Sequence, residues 1–162
     1  MATLVTSIDP VTGGVLISWS QPDDNSQTLI SFTILIGSTD GVTFFEDETD
    51  CSGVDPLVTQ CLVPMTTLTA APFNLQFEQL VLVKAHSTNF FGVGPDSNVN
   101  IDGVKIMKIP SQMGPISVIS KTETEITLAW SSITGVATGN SEITTYNLYW
   151  DNSNGDINML VT

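Results

Sequence analysis

The strongest constraint on this chain is a pattern that occurs twice. Val15, Ile17 and Trp19 alternate with Leu16 and Ser18, and a polar loop follows from Gln21 to Gln27. Phe32, Ile34 and Ile36 then alternate with Thr33 and Leu35 before Asp40-Gly41. The second copy runs Ile126-Thr127-Leu128-Ala129-Trp130, a polar stretch, Thr144 to Trp150, and Asn154-Gly155. Period-two alternation puts every second side chain on one face of an extended strand, and Asp-Gly or Asn-Gly closes a hairpin. One occurrence is compatible with chance; two in 162 residues make an internal repeat.

The rest of the chain reads in the same terms. Leu4 to Ile8 is a first short strand, and Asp9-Pro10 with Gly13-Gly14 makes the turn into Val15. Val42 to Phe45 is the return strand after Asp40-Gly41, and an acidic loop from Glu46 to Asp50 leads to Cys51. Cys61 to Met65 is a strand whose Pro64 predicts an edge position or a bulge. Thr66 to Phe77 reads as a crossover loop, Val81, Val83 and Ala85 as the core side of another strand, and Asn89 to Pro95 as a Gly-rich turn. Asn98 to Met107 is expected to be the last strand of the first unit. Pro110 and Gly114-Pro115 bracket a linker. Strands are then expected at Ile116 to Ile119, Ile126 to Trp130, Thr144 to Trp150 and Asp156 to Val161. No stretch carries helical periodicity over three or more turns, so the expected class is all-β.

Charge narrows the partners. Four Lys and Arg against seventeen Asp and Glu give a net charge of −13, a field that repels nucleic acid and anionic membranes. No window has the apolar length of a membrane span, and the N-terminus lacks the basic and apolar regions of a signal peptide. Cys51 and Cys61 lie close together in a turn-rich segment. A disulfide is the first expectation; free thiols in a reducing compartment are the alternative, and a metal pair has no nearby His to complete a four-ligand set.

These marks together resemble fibronectin type III domains. In the first unit the resemblance rests on Val15-x-Ile17-x-Trp19, on Phe32/Ile34/Ile36, and on Asn89-x-x-Gly92-x-Gly94-x-x-Ser97. In the second it rests on Ile126-x-Leu128-x-Trp130 and Tyr146-x-Leu148-x-Trp150. Cys61-Leu62-Val63-Pro64, Leu68, Pro72-Phe73-Asn74-Leu75 and Asn89-Phe90-Phe91-Gly92 are similar to tandem arrays in large surface and secreted proteins of ciliate-type protists. The resemblance implies immunoglobulin-like β-sandwiches: one complete domain over residues 1–108 and the N-terminal half of a second, strands A to C′, over 109–162. It implies Trp19, Trp130 and Tyr146 as core residues. Two positions depart from the family: Val81 stands where tyrosine is usual, and Ser87 replaces an alanine. The Cys51–Cys61 bridge is the expected substitute for the tyrosine's hydrogen bond.

Aligning Trp19 with Trp130 leaves the second unit with no counterpart of the first unit's later strands. Either the chain is an excerpt of a longer array, or a neighbouring copy supplies those strands in a filament. Glu46, Asp47, Glu48 and Asp50, with Asp23 and Asp24 in another loop, have the hard oxygen ligands of a weak Ca²⁺ site, but no established Ca²⁺-loop spacing; a solvated acidic loop is the plainer reading. His86, the single histidine, alternates with Ala85 and belongs on the outer face. Phe90 and Phe91 are candidate contact residues on a turn, the alternative being that at least one packs against the next domain or the linker at Ile109-Pro110. Trp150 shares the face of Tyr146 and Leu148 and is expected in the core. No acid/base, nucleophile or metal constellation points to an enzyme. The expected function is a structural and adhesive module of an extracellular or cell-surface array, without cofactor unless Ca²⁺, whose partners are other domains or neighbouring copies. The alternatives are a ligand-binding segment of a receptor ectodomain and an intracellular, ciliary scaffold.

Overall fold

Alternation in the first unit resolves into two antiparallel sheets that share one core. The computed structural model describes residues 3–24, 26–151 and the backbone of 159–160. The chain divides into two compact units, Met1–Met107 and Lys108–Thr162. In the first, β1 (Val5–Ile8), β2 (Val15–Ser18) and β5 (Gln60–Val63) form one sheet in the order β1-β2-β5. The other sheet has the order β4-β3-β6-β7, from β3 (Leu29–Gly37), β4 (Phe44–Glu46), β6 (Val83–Asn89) and β7 (Gly92–Val93).

Val15 and Ile17 of β2, Trp19 just beyond it, Phe32, Ile34 and Ile36 of β3, and Val83 and Ala85 of β6 are all buried in one cluster. Trp19 meets Phe32 edge-on, with ring centroids 5.6 Å apart, so the aromatic that ends β2 reaches the sheet opposite. Leaving these side chains in water would cost each of the larger ones about 1.5–3 kcal/mol, which is why the alternation fixes which face turns inward. Gly53 lets the following loop close on β3: Phe32 N donates to Gly53 O at 2.8 Å, φ is +62°, and a Cβ there would collide with the Phe32 carbonyl.

Three expectations for this unit are corrected. Strand β5 ends at Val63, and Pro64 begins a five-residue helix, α1 (Met65–Thr69), within the stretch expected as loop. One helical turn is too short to leave a periodic signal, and only its Leu68 is buried. The stretch from Asn98 to Met107 forms no regular strand; its one bridge pairs Lys105 with Leu80. The cause is an extra residue. Ser97 N donates to Ala85 O and Asn100 N to Val83 O, so three residue steps on this side span two on β6. Side chains repair the mismatch: Ser97 Oγ accepts from Ala85 N at 3.1 Å and Asn100 Oδ1 from Val83 N at 2.6 Å.

Asn100 Nδ2 also donates to the carbonyls of Val81 and Asp102. At the corner where the resemblance places a tyrosine, the backbone is therefore held by Asn100. The Cys51–Cys61 bridge lies elsewhere, tying the loop after β4 to β5.

In the second unit β8 (Ser117–Lys121) pairs with β9 (Ile126–Ala129), and β10 (Tyr149–Trp150) with β11 (Met159–Leu160), all antiparallel. The strand expected from Thr144 to Trp150 is thus confined to its last two residues. A short 3₁₀ turn spans Gly135–Thr138. The expected Asn154-Gly155 turn and most of the strand from Asp156 to Val161 lie outside the described residues. No described hydrophobic side chain of this unit is buried. Trp130 and Trp150, both expected in a core, are 41% and 44% exposed, in a unit whose described sheets have two strands each.

The two units make opposite predictions for residues on the corresponding apolar faces of β2 and β9. Ile17→Ala should lower the unfolding free energy by about 2–5 kcal/mol, the usual range for a filled core position. Ile126→Ala should cost less than about 1 kcal/mol. Removing the Asn100 side chain (Asn100→Ala) strands buried amide and carbonyl groups and should cost about 2–4 kcal/mol. Urea unfolding of the three variants, followed by tryptophan fluorescence and by amide signals of each unit, checks all three values.

Candidate interaction site

The loop end of the first unit presents an exposed aromatic pair beside a cleft. β6 and β7 are joined by a tight turn in which Asn89 Oδ1 accepts from the Phe91 amide at 2.9 Å. The turn lifts Phe90 and Phe91 out of the sheet, 84% and 79% exposed, with their rings edge-to-face at 5.8 Å. Phe91 also lines a cleft of about 330 Å³, together with Asp23, Asp24 and Asn89, over the buried Leu29. The two carboxylates and the polar turn give it a negative rim. This arrangement can receive a side chain from a partner; it brings together no nucleophile and base.

His86 lies on the outer face of β6 and is half-buried there. Sequence reasoning left it without a partner, yet Asp96 bridges it to Lys84. Asp96 Oδ1 is 2.8 Å from His86 Nδ1 and Asp96 Oδ2 is 2.7 Å from Lys84 Nζ. Lys84 also sits 4.8 Å above the Phe44 ring. Lys84 and His86 are two residues apart on one face of β6, and Asp96 folds back to them across the β7 turn. That proximity depends on the turn and so has no local sequence signal. The hydrogen bond from Lys84, then that from His86, holds the Asp96 carboxyl below its ordinary value.

The acidic loop is held by its own hydrogen bonds. Asp47 Oδ1 accepts from the amides of Thr49 and Asp50, and Asp50 Oδ2 accepts from the Thr67 hydroxyl. Among the described residues no group of three or more His, Cys, Asp or Glu side chains is placed to hold a metal ion. Of the weak Ca²⁺ candidates Glu46, Asp47, Glu48 and Asp50, it is Asp47, which is buried, and Asp50 whose carboxylates fasten the turn. Asp9 and Asp40 do the same elsewhere. The Thr12 hydroxyl, then its amide, lowers the Asp9 pKa, and the Thr43 hydroxyl, then the Thr43 and Val42 amides, lowers that of Asp40 further.

The second unit contributes an apolar face. Ile126 and Trp130 are exposed and Leu128 half-buried along β9, and Val118 of β8, opposite Leu128, is 56% exposed. Trp130 stands 6.3 Å from Tyr146, whose hydroxyl accepts from the Ile133 amide at 3.0 Å. The Cys51–Cys61 disulfide is present in the first unit, and no helix among the described residues is long and apolar enough to cross a membrane.

Acid should weaken the first unit through Asp9, Asp40 and Asp96 together. Each has a folded pKa below the ordinary aspartate value of 3.8, so its stabilisation is complete above that pH and is lost as pH falls through the folded value. Unfolding free energy is expected to hold level from neutral pH to about pH 4 and then decline. In Asp96→Asn the loss at neutral pH should stay within about 1 kcal/mol, as for other exposed ion pairs. Carboxyl-carbon NMR titration and unfolding curves across acidic pH test both statements.

No protein-family model matches the chain, and no curated protein matches it in sequence.

Proposed function

We propose that the chain is a non-enzymatic structural and adhesive segment of an extracellular or cell-surface array of fibronectin type III-like sandwiches. The observation that carries this reading is the repeated hairpin plan. β8–β9 and β10–β11 follow β1–β2 and β3–β4 in order and pairing, with Trp130 following β9 as Trp19 follows β2. In the first unit β5 and β6 complete the core; in the second the equivalent residues are uncovered. A module of this kind functions by being joined to others, its sheets transmitting load through cross-strand hydrogen bonds and its loops and edges making lateral contacts. The disulfide supports an oxidising location. The cleft beside Phe91 favours a second reading, a ligand-binding segment of a receptor ectodomain, which shares the outside location.

Antibodies raised against the first unit should label intact, unpermeabilised cells. Labelling that requires permeabilisation, or recovery of Cys51 and Cys61 as free thiols from the native source, overturns the extracellular reading in favour of an intracellular scaffold. Reducing the bridge should lower the stability of the first unit by about 2–3 kcal/mol, the chain-entropy value for so short a loop. Calorimetry with and without reductant measures it.

A further inference from the structure

We infer that the free edge of β9 is a self-association site, at which a second copy of this chain pairs antiparallel in a two-fold register centred on Leu128. The inference rests on the modular reading above for its setting and names the partner of the uncovered unit.

Alternation fixes which backbone groups are available. The Thr122 amide donates to Glu125 O and the Ser117 hydroxyl to Ala129 O, so the carbonyls of Glu125 and Ala129 turn toward β8. Ile126, Leu128 and Trp130, in the other phase, present their N–H and C=O groups to the opposite edge. The first unit shows what that edge does when it is filled. There Trp19 N donates to Thr59 O, and Val15 and Ile17 lie opposite Val63 and Cys61 of β5. In the second unit β9 has no strand beyond β8 among the described residues.

A second copy satisfies this edge without a mismatch. Centring the two-fold axis on Leu128 places Leu128 opposite itself and Ile126 opposite the second copy's Trp130. Opposed residues share a face, so the three apolar side chains of each strand fall on the same side of the joined sheet. A register one residue off would put Thr127 opposite Leu128 and turn the two apolar faces away from each other. In the centred register Glu125 faces Ser131 of the second copy, so no like charges meet.

The edge also lacks the usual protection. Ile126-Thr127-Leu128-Ala129 contains no proline and no charge. Ile126 and Trp130, 43% and 41% exposed, flank the half-buried Leu128, so the pairing adds only a few cross-strand apolar contacts to its backbone hydrogen bonds. Association is accordingly weak. Added salt strengthens it by screening the charge of −13 on each chain.

Sedimentation equilibrium of the whole chain into the millimolar range is expected to show a monomer–dimer equilibrium that shifts to dimer at high salt. Cysteine substitution then reads the register, since the native thiols are already bridged. In the centred register the two Leu128 Cα atoms lie about 5.5 Å apart, within reach of a disulfide. Leu128→Cys should therefore form a cross-linked dimer about tenfold faster than Thr127→Cys, whose opposite residue is Ala129 of the second copy. Amide spectra of the first unit report folding of both variants. A chain that stays monomeric at all concentrations, or cross-links equally from both positions, overturns the inference. Either result leaves cell-surface labelling and the Cys51–Cys61 bridge unaffected, so failure of the pairing is distinct from failure of the modular reading.

Discussion

The contact between Trp19 and Phe32 is where the two sheets of the first unit become one structure. Neither sheet can bury its apolar face alone, because a two-layer fold needs a second layer to exclude water. Trp19 is nine-tenths buried only because β3 and its partners lie opposite, and β3 holds its place through its long antiparallel pairing with β6. The pairing of β6 depends in turn on Ser97 and Asn100, which complete its outer edge. The core is therefore a property of the closed set of strands, and residues with nearly the same local pattern acquire different environments according to whether that set is closed. Trp130 has the alternation of Trp19 before it and Tyr146 beside it, yet stays 41% exposed.

This distinction explains what could be read from sequence. β2, β3 and the start of β6 carry strict alternation, and their buried faces were legible because water and core divide the two phases cleanly. The region after β7 was legible as extended chain but not as an irregular one. Its irregularity depends on two polar side chains substituting for backbone partners, and a Ser and an Asn three residues apart are ordinary in any loop. The Lys84–Asp96–His86 group was equally hidden, since its members meet only once the turn at Asn89–Gly92 has formed. Trp150 was misread for a different reason. Alternation with Tyr146 and Leu148 identifies a face correctly, but whether that face is covered depends on strands elsewhere.

The excess of acid also has a structural explanation. Asp9, Asp24, Asp40, Asp47 and Asp55 each accept an amide hydrogen from a residue two or three positions ahead. An aspartate is well suited to this, because its short side chain reaches its own backbone and mimics the carbonyl of a turn. Carboxylates engaged in this way have an oxygen committed to the loop, which works against gathering around a shared cation. A fold with many short strands needs many turns, and here several of those turns are fastened by aspartate. The low pI follows in part from the turn chemistry.

Edges show how differently the two units meet the same hazard. The outer strands of the four-stranded sheet, β4 and β7, are three and two residues long, and β5 is stopped by Pro64. Short or proline-terminated edges offer a passing strand little to pair with. β1 is the exception, but Thr6 Oγ1 accepts from the Val104 amide at 2.9 Å, so later chain lies against it. β9 corresponds to β2, which in the complete unit is an interior strand. Its sequence is therefore that of a strand expecting neighbours on both sides, apolar and uncharged. Exposing such a strand at an edge is a hazard, because the same residues that would make β9 a good interior strand leave its edge without a proline or a charge.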